Sequence, residues 1–215
     1  MIYQLFPTPV YRVNDHVDIT NEYAQLDKFE ITNKQFDNFG EKSVNTYILD
    51  DYRLSNLSRW IVKHINHYSK QILYPGANAE DYVLLQSWIS VKHPGQSHAA
   101  HTHPNSVISG VFYWEATNIP ITFVNSKAVE LGPTQLIDYT FSVTDIEPGT
   151  LILFPSNLKH TVSINNSDKP RKSLAFNSIP TSGLGSNGQL SEIDFTRLKN
   201  KLMRDKKSPV LPGLV

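Results

Sequence analysis

The 215-residue sequence predicts a mainly β fold with flanking helices, an antiparallel sandwich or barrel. Three observations point there. Short apolar stretches rich in β-formers recur from Asp81 onward. Turn-forming residues separate them: Pro94-Gly95, Asn118, Pro133, Pro148-Gly149, Pro155-Ser156-Asn157 and the run from Asn165 to Pro170. No helical pattern falls between them.

Taken in order, Ile2 to Val13 carries β-formers broken by Pro7 and Pro9, and reads as an edge strand or extended lead-in. The polar stretch Asn14 to Thr46 has room for a helix around Thr20 to Phe29. A clear helix then runs from Leu54 to Tyr74. Leu54, Leu57, Ile61, Ile65, Tyr68 and Ile72 recur at helical spacing and make one apolar stripe, and Pro75-Gly76 ends it. Arg59, Lys63, Asn66 and Lys70 fall largely opposite. His64 and His67 are read as solvated or stripe-edge residues rather than a metal pair, because no third ligand accompanies them.

The strands follow: Tyr82 to Val91, Ser106 to Trp114, Ile119 to Val124, Tyr139 to Val143, Thr150 to Phe154, His160 to Ile164 and Ser173 to Ile179. Asn125 to Asp138 is a longer connection of the kind that forms substrate walls or lids. Beyond a loop rich in Gly, Ser and Asn, Ser191 is the expected N-cap of a helix running to about Asp205. Its basic end, with Arg197, Lys199, Lys201, Arg204, Lys206 and Lys207, suits the helix dipole. The expected organisation is one domain over 1–215: support in 1–80, a β core in 81–180, and a C-terminal loop, helix and tail in 181–215.

Composition narrows the function classes. Lys plus Arg and Asp plus Glu stand at 20 each, so no net field draws nucleic acid or an acidic membrane. No cysteine is present, which excludes disulfides, zinc ribbons and thiol nucleophiles. With no leader pattern and no long apolar run, a soluble, cytoplasmic protein is expected. A homodimer is compatible with the sequence.

The chemistry concentrates in Gly95 to Gly110, where His98, His101 and His103 fall within six residues of a chain holding eight histidines. In an extended segment i and i+2 share a face, so His101 and His103 can both point inward as a chelate for a borderline divalent metal. Downstream, Gly149 to His160 is an apolar strand followed by a tight turn that presents His160. In a double-stranded β-helix (a jelly roll), such a turn sets a distal histidine opposite the first pair. Three ligands on one side of a metal leave positions open for chemistry. Alone, His160 is as readily a surface residue. Arg171 lies eleven residues further on, and period-two alternation groups it with Ser173, Ala175 and Asn177. An inward arginine beside a hydroxyl suits a carboxylate.

With these pieces in place the sequence resembles the 2-oxoglutarate/Fe(II)-dependent oxygenases, in particular a group found in bacteria and phages. The matching segments are Trp88-Ile89, His101 through Ser106, Ser109 through Tyr113, Gly149 through Ser156, His160, Arg171-Lys172-Ser173 and Ala175-Phe176-Asn177, together with Leu5 through Val10. The resemblance implies a double-stranded β-helix, with Fe(II) held by His101, His103 and His160. It implies 2-oxoglutarate with its far carboxylate on Arg171 and Ser173, Tyr113 as an added donor, Asn177 as a weaker one, and dioxygen as oxidant. Hydroxylation of a small-molecule or peptide substrate is the default outcome. One departure stands out: most of the superfamily has Asp or Glu where this chain has His103. The neutral imidazole raises the charge at the metal by one and favours its reduced state. His98, Glu130 or Asp138 remain alternative ligands.

Two other readings compete. A cupin shares the fold and fits Gly95, His101, His103, Gly110, Gly149, Pro155 and His160, but lacks the glutamate expected after the second histidine and has no need of Arg171. A non-enzymatic β-protein would leave the histidines incidental or holding a structural zinc.

Overall fold

The computed structural model describes residues 7–15, 19–32, 40–73, 81–124, 140–185 and 187–205. The expected lid at Asn125 to Asp138, the stop at Pro75-Gly76, the matching residues Leu5 and Phe6, and Lys206 and Lys207 lie outside them.

Twelve strands are described, and eight of them, β3 to β10, carry the core: β3 Tyr82–Lys92, β4 His98–His101, β5 Ile108–Tyr113, β6 Ile121–Val124, β7 Thr140–Val143, β8 Thr150–Pro155, β9 His160–Val162 and β10 Arg171–Pro180. A six-stranded sheet runs β1-β8-β5-β10-β3-β2, and a four-stranded sheet runs β4-β9-β6-β7. Here β1 is Tyr11–Val13 and β2 is Glu41–Lys42. The chain passes from one sheet to the other between β3, β4, β5 and β6, and again between β7, β8, β9 and β10, while β6 and β7 stay together as a hairpin. That alternation is a double-stranded β-helix, as expected. The edge position of β1 agrees with the prolines before it.

Strand ends move for local reasons. Pro120 has no N–H to give a ladder, so β6 begins at Ile121. Ser106 turns its hydroxyl to the Ser178 carbonyl at 3.1 Å and takes the Ser178 N–H at 3.2 Å, which leaves β5 to start at Ile108. By contrast β10 reaches back to Arg171, which pairs with Lys92.

The six-stranded sheet is apolar on both faces. Ile89, Phe112, Leu151, Leu153, Leu174 and Phe176 face the helices, and Val111, Tyr113, Ile152 and Phe154 face Ile121, Phe123 and Val143 of the other sheet. The helical layer is built from α1 Thr20–Leu26 and α2 Ser55–Tyr68, the latter continuing into a wide turn at Ser69–Leu73. The predicted stripe is the buried face: Leu54, Leu57, Ile61, Ile65 and Tyr68 have no exposed surface. Glu22 of α1 accepts the backbone N–H groups of Asn56 and Leu57 at 3.1 and 2.8 Å, so a remote carboxylate caps α2.

Two expectations are corrected. His64 is buried rather than solvated: Tyr11 Oη lies 2.9 Å from its Nδ1, Trp60 packs edge-on at 4.6 Å, and Asp15 lies 3.5 Å from Nε2. The C-terminal helix, α3 Phe195–Asp205, is capped by Asp194, whose Oδ1 accepts the Arg197 N–H at 2.9 Å, and not by Ser191. The segment ahead of it is taken up by β12 Ile193–Asp194, pairing with β11 Gly183–Leu184.

Gly110 sits mid-strand on the helix-facing side of β5. A Cβ there would meet the Phe176 ring and come within 2.7 Å of Leu153 Cδ2. Gly110→Ala is expected to destabilise the fold by roughly 1–3 kcal/mol through overpacking. That exceeds the ~0.4–1 kcal/mol gained by restricting the unfolded chain. Urea denaturation with an unchanged m-value checks it.

Candidate active site

The four-stranded sheet and its turns deliver the histidines. His101 ends β4 and faces His160, the first residue of β9, in direct register. His103 lies two residues past His101, and its N–H donates to the Ser156 carbonyl at 2.9 Å. The ring centroids are 5.2 Å apart for His101–His103, 4.3 Å for His101–His160 and 5.1 Å for His103–His160. One ligand nitrogen from each lies within 4.8 Å of the others. Among the described residues, no carboxylate joins the cluster. His98 stacks on His101 at 4.2 Å but stands outside the triad, and Glu130 and Asp138 lie outside the described residues.

Each ring is oriented by its Nδ1. That of His101 is 2.9 Å from the Ala99 carbonyl and that of His160 is 3.0 Å from the Leu158 carbonyl. That of His103 is 2.6 Å from Asn177 Oδ1. Carbonyl oxygens only accept, so Nδ1 carries the proton and Nε2 keeps its lone pair. Burial holds all three imidazoles neutral, their pKa values lowered, that of His160 to about 3. The donor set therefore fits a divalent metal: three neutral, pre-oriented nitrogens.

Asn177, which the resemblance implies as a weaker cosubstrate donor, is hydrogen-bonded through Oδ1 to His103. Ser109 Oγ donates to Asn177 Oδ1 at 2.9 Å, and Ser109, Ser156 and Ser106 continue as a run of hydroxyls with spacings of 2.8 and 2.9 Å. Asn177→Ala is expected to lower metal affinity by roughly 10- to 100-fold, the usual effect of losing an outer hydrogen bond to a ligating histidine. Competition against a chromophoric chelator measures it.

Trp88 stacks over His103 at 5.9 Å with 27° between the rings. It lines a cleft of about 520 Å³ with Gln86, Ser90, His98, His101 and Asn177. Trp88 is thus a pocket residue, whereas Trp114 belongs to the helix-side core.

Arg171, Ser173 and Tyr113 come together deeper in the barrel. Arg171 Nη2 donates to Tyr113 Oη at 2.8 Å, and Nη1 is 3.4 Å from Ser173 Oγ. Arg171 as a whole is 5% exposed, and nothing among the described residues accepts from its Nε. A buried cation with only hydroxyl partners and an orphaned donor fits a carboxylate ligand.

Residues 86–177 match the model of a family described as "Putative 2OG-Fe(II) oxygenase". The matched span holds the three histidines, Asn177 and the Arg171–Ser173–Tyr113 group. Over that span the chain is similar to the 2OG-Fe(II) oxygenases. Among solved structures this chain is similar to the non-heme alpha-ketoglutarate-dependent epimerase SnoN from nogalamycin biosynthesis, with 15% identity, a TM-score of 0.60, and 81% of this chain and 79% of that one covered. It is also similar to HygX from Streptomyces hygroscopicus, solved with nickel, 2-oxoglutarate and hygromycin B bound (10% identity, TM-score 0.57, 81% and 84% covered). A third is a Pseudomonas putida prolyl-4-hydroxylase (10% identity, TM-score 0.54, 79% and 92% covered). These likenesses establish a common fold. No curated protein matches the chain. Among the described residues, no helix is long and apolar enough to cross a membrane.

Proposed function

We propose that the oxygenase holds Fe(II) through His101, His103 and His160, seats the far carboxylate of 2-oxoglutarate on Arg171, Ser173 and Tyr113, and hydroxylates a small molecule admitted by the cleft at Trp88. When bound, iron(II) with 2-oxoglutarate and dioxygen supplies the oxidising chemistry. The protein supplies position and environment. The three Nδ1–H groups, each tied to an acceptor, are the observation that carries the reading. They fix every Nε2 for coordination before metal arrives, so binding reorganises little. Trp88 walls one side of His103, and the buried guanidinium sets the orientation of the cosubstrate. A small-molecule substrate is favoured by the cleft's size and by HygX, a relative in fold solved with hygromycin B bound.

The test is an anaerobic titration of the metal-free protein with Fe(II) and then 2-oxoglutarate. A visible charge-transfer band that appears only on the second addition is the expected result. Iron binding with no response to 2-oxoglutarate would return the protein to the cupin reading.

A further inference from the structure

Ligand clefts are mostly walled by aliphatic and aromatic side chains. The cleft beside the histidines is not: among the described residues that line it there is no Leu, Ile, Val, Met or Phe, and Trp88 is its one large apolar side chain. A backbone irregularity brings a second β3 side chain to it. Phe176 pairs with Ser87, yet Ser178 pairs with Leu84, so Leu85 and Gln86 together stand opposite Asn177 in a β-bulge. Tyr82 and Leu84 pack on the helix side before the bulge, and Ile89 and Val91 after it. The bulge thus shifts the alternation by one residue and puts Gln86 on the cleft face beside Trp88.

The hydrogen-bonding groups left over in this cleft are uncharged. The side chains of Gln86, Thr46, Thr102 and Asn105 line it and have no hydrogen-bond partner among the described residues. Asn177 is oriented by its neighbours: Oδ1 accepts from His103 Nδ1 at 2.6 Å and from Ser109 Oγ at 2.9 Å. That fixes the amide, and its NH2 end, which no described residue accepts, is left for the cleft. The charged lining residues are engaged: Glu41 Oε2 lies 2.9 Å from His93 Nε2, and Lys42 has an interaction of its own. Neutral donors and acceptors from several segments thus surround one aromatic ring. A planar base presents its hydrogen-bonding groups in a single plane. A pyranose ring carries hydroxyls around its whole rim and C–H groups on its faces, which is the pattern this lining meets. We propose that the cleft binds a neutral pyranoside, with Trp88 as the apolar wall against its C–H groups and Gln86 and Asn177 donating to its hydroxyls. This rests on the oxygenase reading above and names its substrate class. Because Asn177 also holds the ring of His103, a hydroxyl on its amide brings the sugar to the histidine triad.

The experiment uses the protein loaded with Fe(II) and 2-oxoglutarate under anaerobic conditions, with binding read by calorimetry. The probes are the methyl α-pyranosides of glucose, galactose and mannose, cyclohexanol as a ring of like size with a single hydroxyl, and an uncharged proline-containing tripeptide. The expected result is saturable binding of at least one pyranoside at a millimolar Kd or tighter, with cyclohexanol and the tripeptide roughly tenfold weaker or more. Gln86→Leu keeps the bulk of the side chain without its hydrogen bonds, and is expected to weaken that pyranoside by about three- to tenfold. Trp88→Leu is expected to weaken it by about tenfold through lost apolar contact. Thr46→Val, with an expected loss of about threefold, decides if Gln86→Leu does not fold. The proposal is overturned if no pyranoside binds, if cyclohexanol or the tripeptide binds as tightly, or if the deciding folded variant binds the pyranoside as wild type does. Any of these outcomes with the charge-transfer band of 2-oxoglutarate intact leaves the oxygenase reading standing. Absence of that band in the wild type is the failure of the oxygenase reading instead.

Discussion

Replacing His160 by alanine is expected to leave a folded protein that no longer retains iron and turns over no 2-oxoglutarate. His160 lies opposite His101 in the β4–β9 register, and its backbone ladder does not depend on the ring. Removing the ring leaves two imidazoles and opens one side of the site. The affinity loss should exceed the roughly 10- to 100-fold associated with losing an outer hydrogen bond. His67→Ala, on the exposed face of α2, serves as the control and should behave as wild type. Anaerobic equilibrium dialysis with Fe(II), beside far-UV circular dichroism, separates metal loss from unfolding. Iron held at wild-type affinity by a folded His160→Ala protein would remove His160 from the ligand set and reopen the place of His98.

Which parts of this arrangement a reader of the sequence can find depends on how local their causes are. The strand rhythm, the stripe of α2 and the period-two face from Arg171 to Asn177 are set by neighbours in the chain, and all are legible there. So is the shared face of His101 and His103. Partner choice across strands is different. That Asn177 supports His103 follows from Ser109 pairing with Asn177 in the β5–β10 register, and from the Ser156 turn meeting His103. The sequence shows an asparagine on the correct face but not what stands opposite. Gln86 is hidden for the same reason. Alternation counted from Tyr82 and Leu84 places it on the helix side, and only the bulge opposite Asn177 turns it to the cleft. The burial of His64 is not visible in its own helix, because Tyr11 and Asp15, which surround it, come from a distant segment. The cap of α3 moved because a short ladder with β11 took up Ile193 and Asp194.

Arg171→Met should move two observables in opposite directions. In the metal-free protein the guanidinium is buried, its Nε lacks an acceptor among the described residues, and its other contacts are the hydroxyls of Tyr113 and Ser173. A buried charge with no counter-charge among the described residues is destabilising, and an unbranched apolar side chain of similar reach removes that penalty. Against this, Tyr113 loses its partner at 2.8 Å, which costs about 1 kcal/mol. The balance favours the variant, by roughly 1–2 kcal/mol, read as a higher urea midpoint. Binding of 2-oxoglutarate goes the other way. Losing a charge-assisted contact to the far carboxylate costs about 3 kcal/mol or more, a hundredfold or greater loss of affinity. A merely structural arginine predicts the reverse pairing, a destabilised protein with cosubstrate affinity unchanged. Stability and affinity measured on the same preparation therefore decide whether Arg171 is kept buried for the fold or for its ligand.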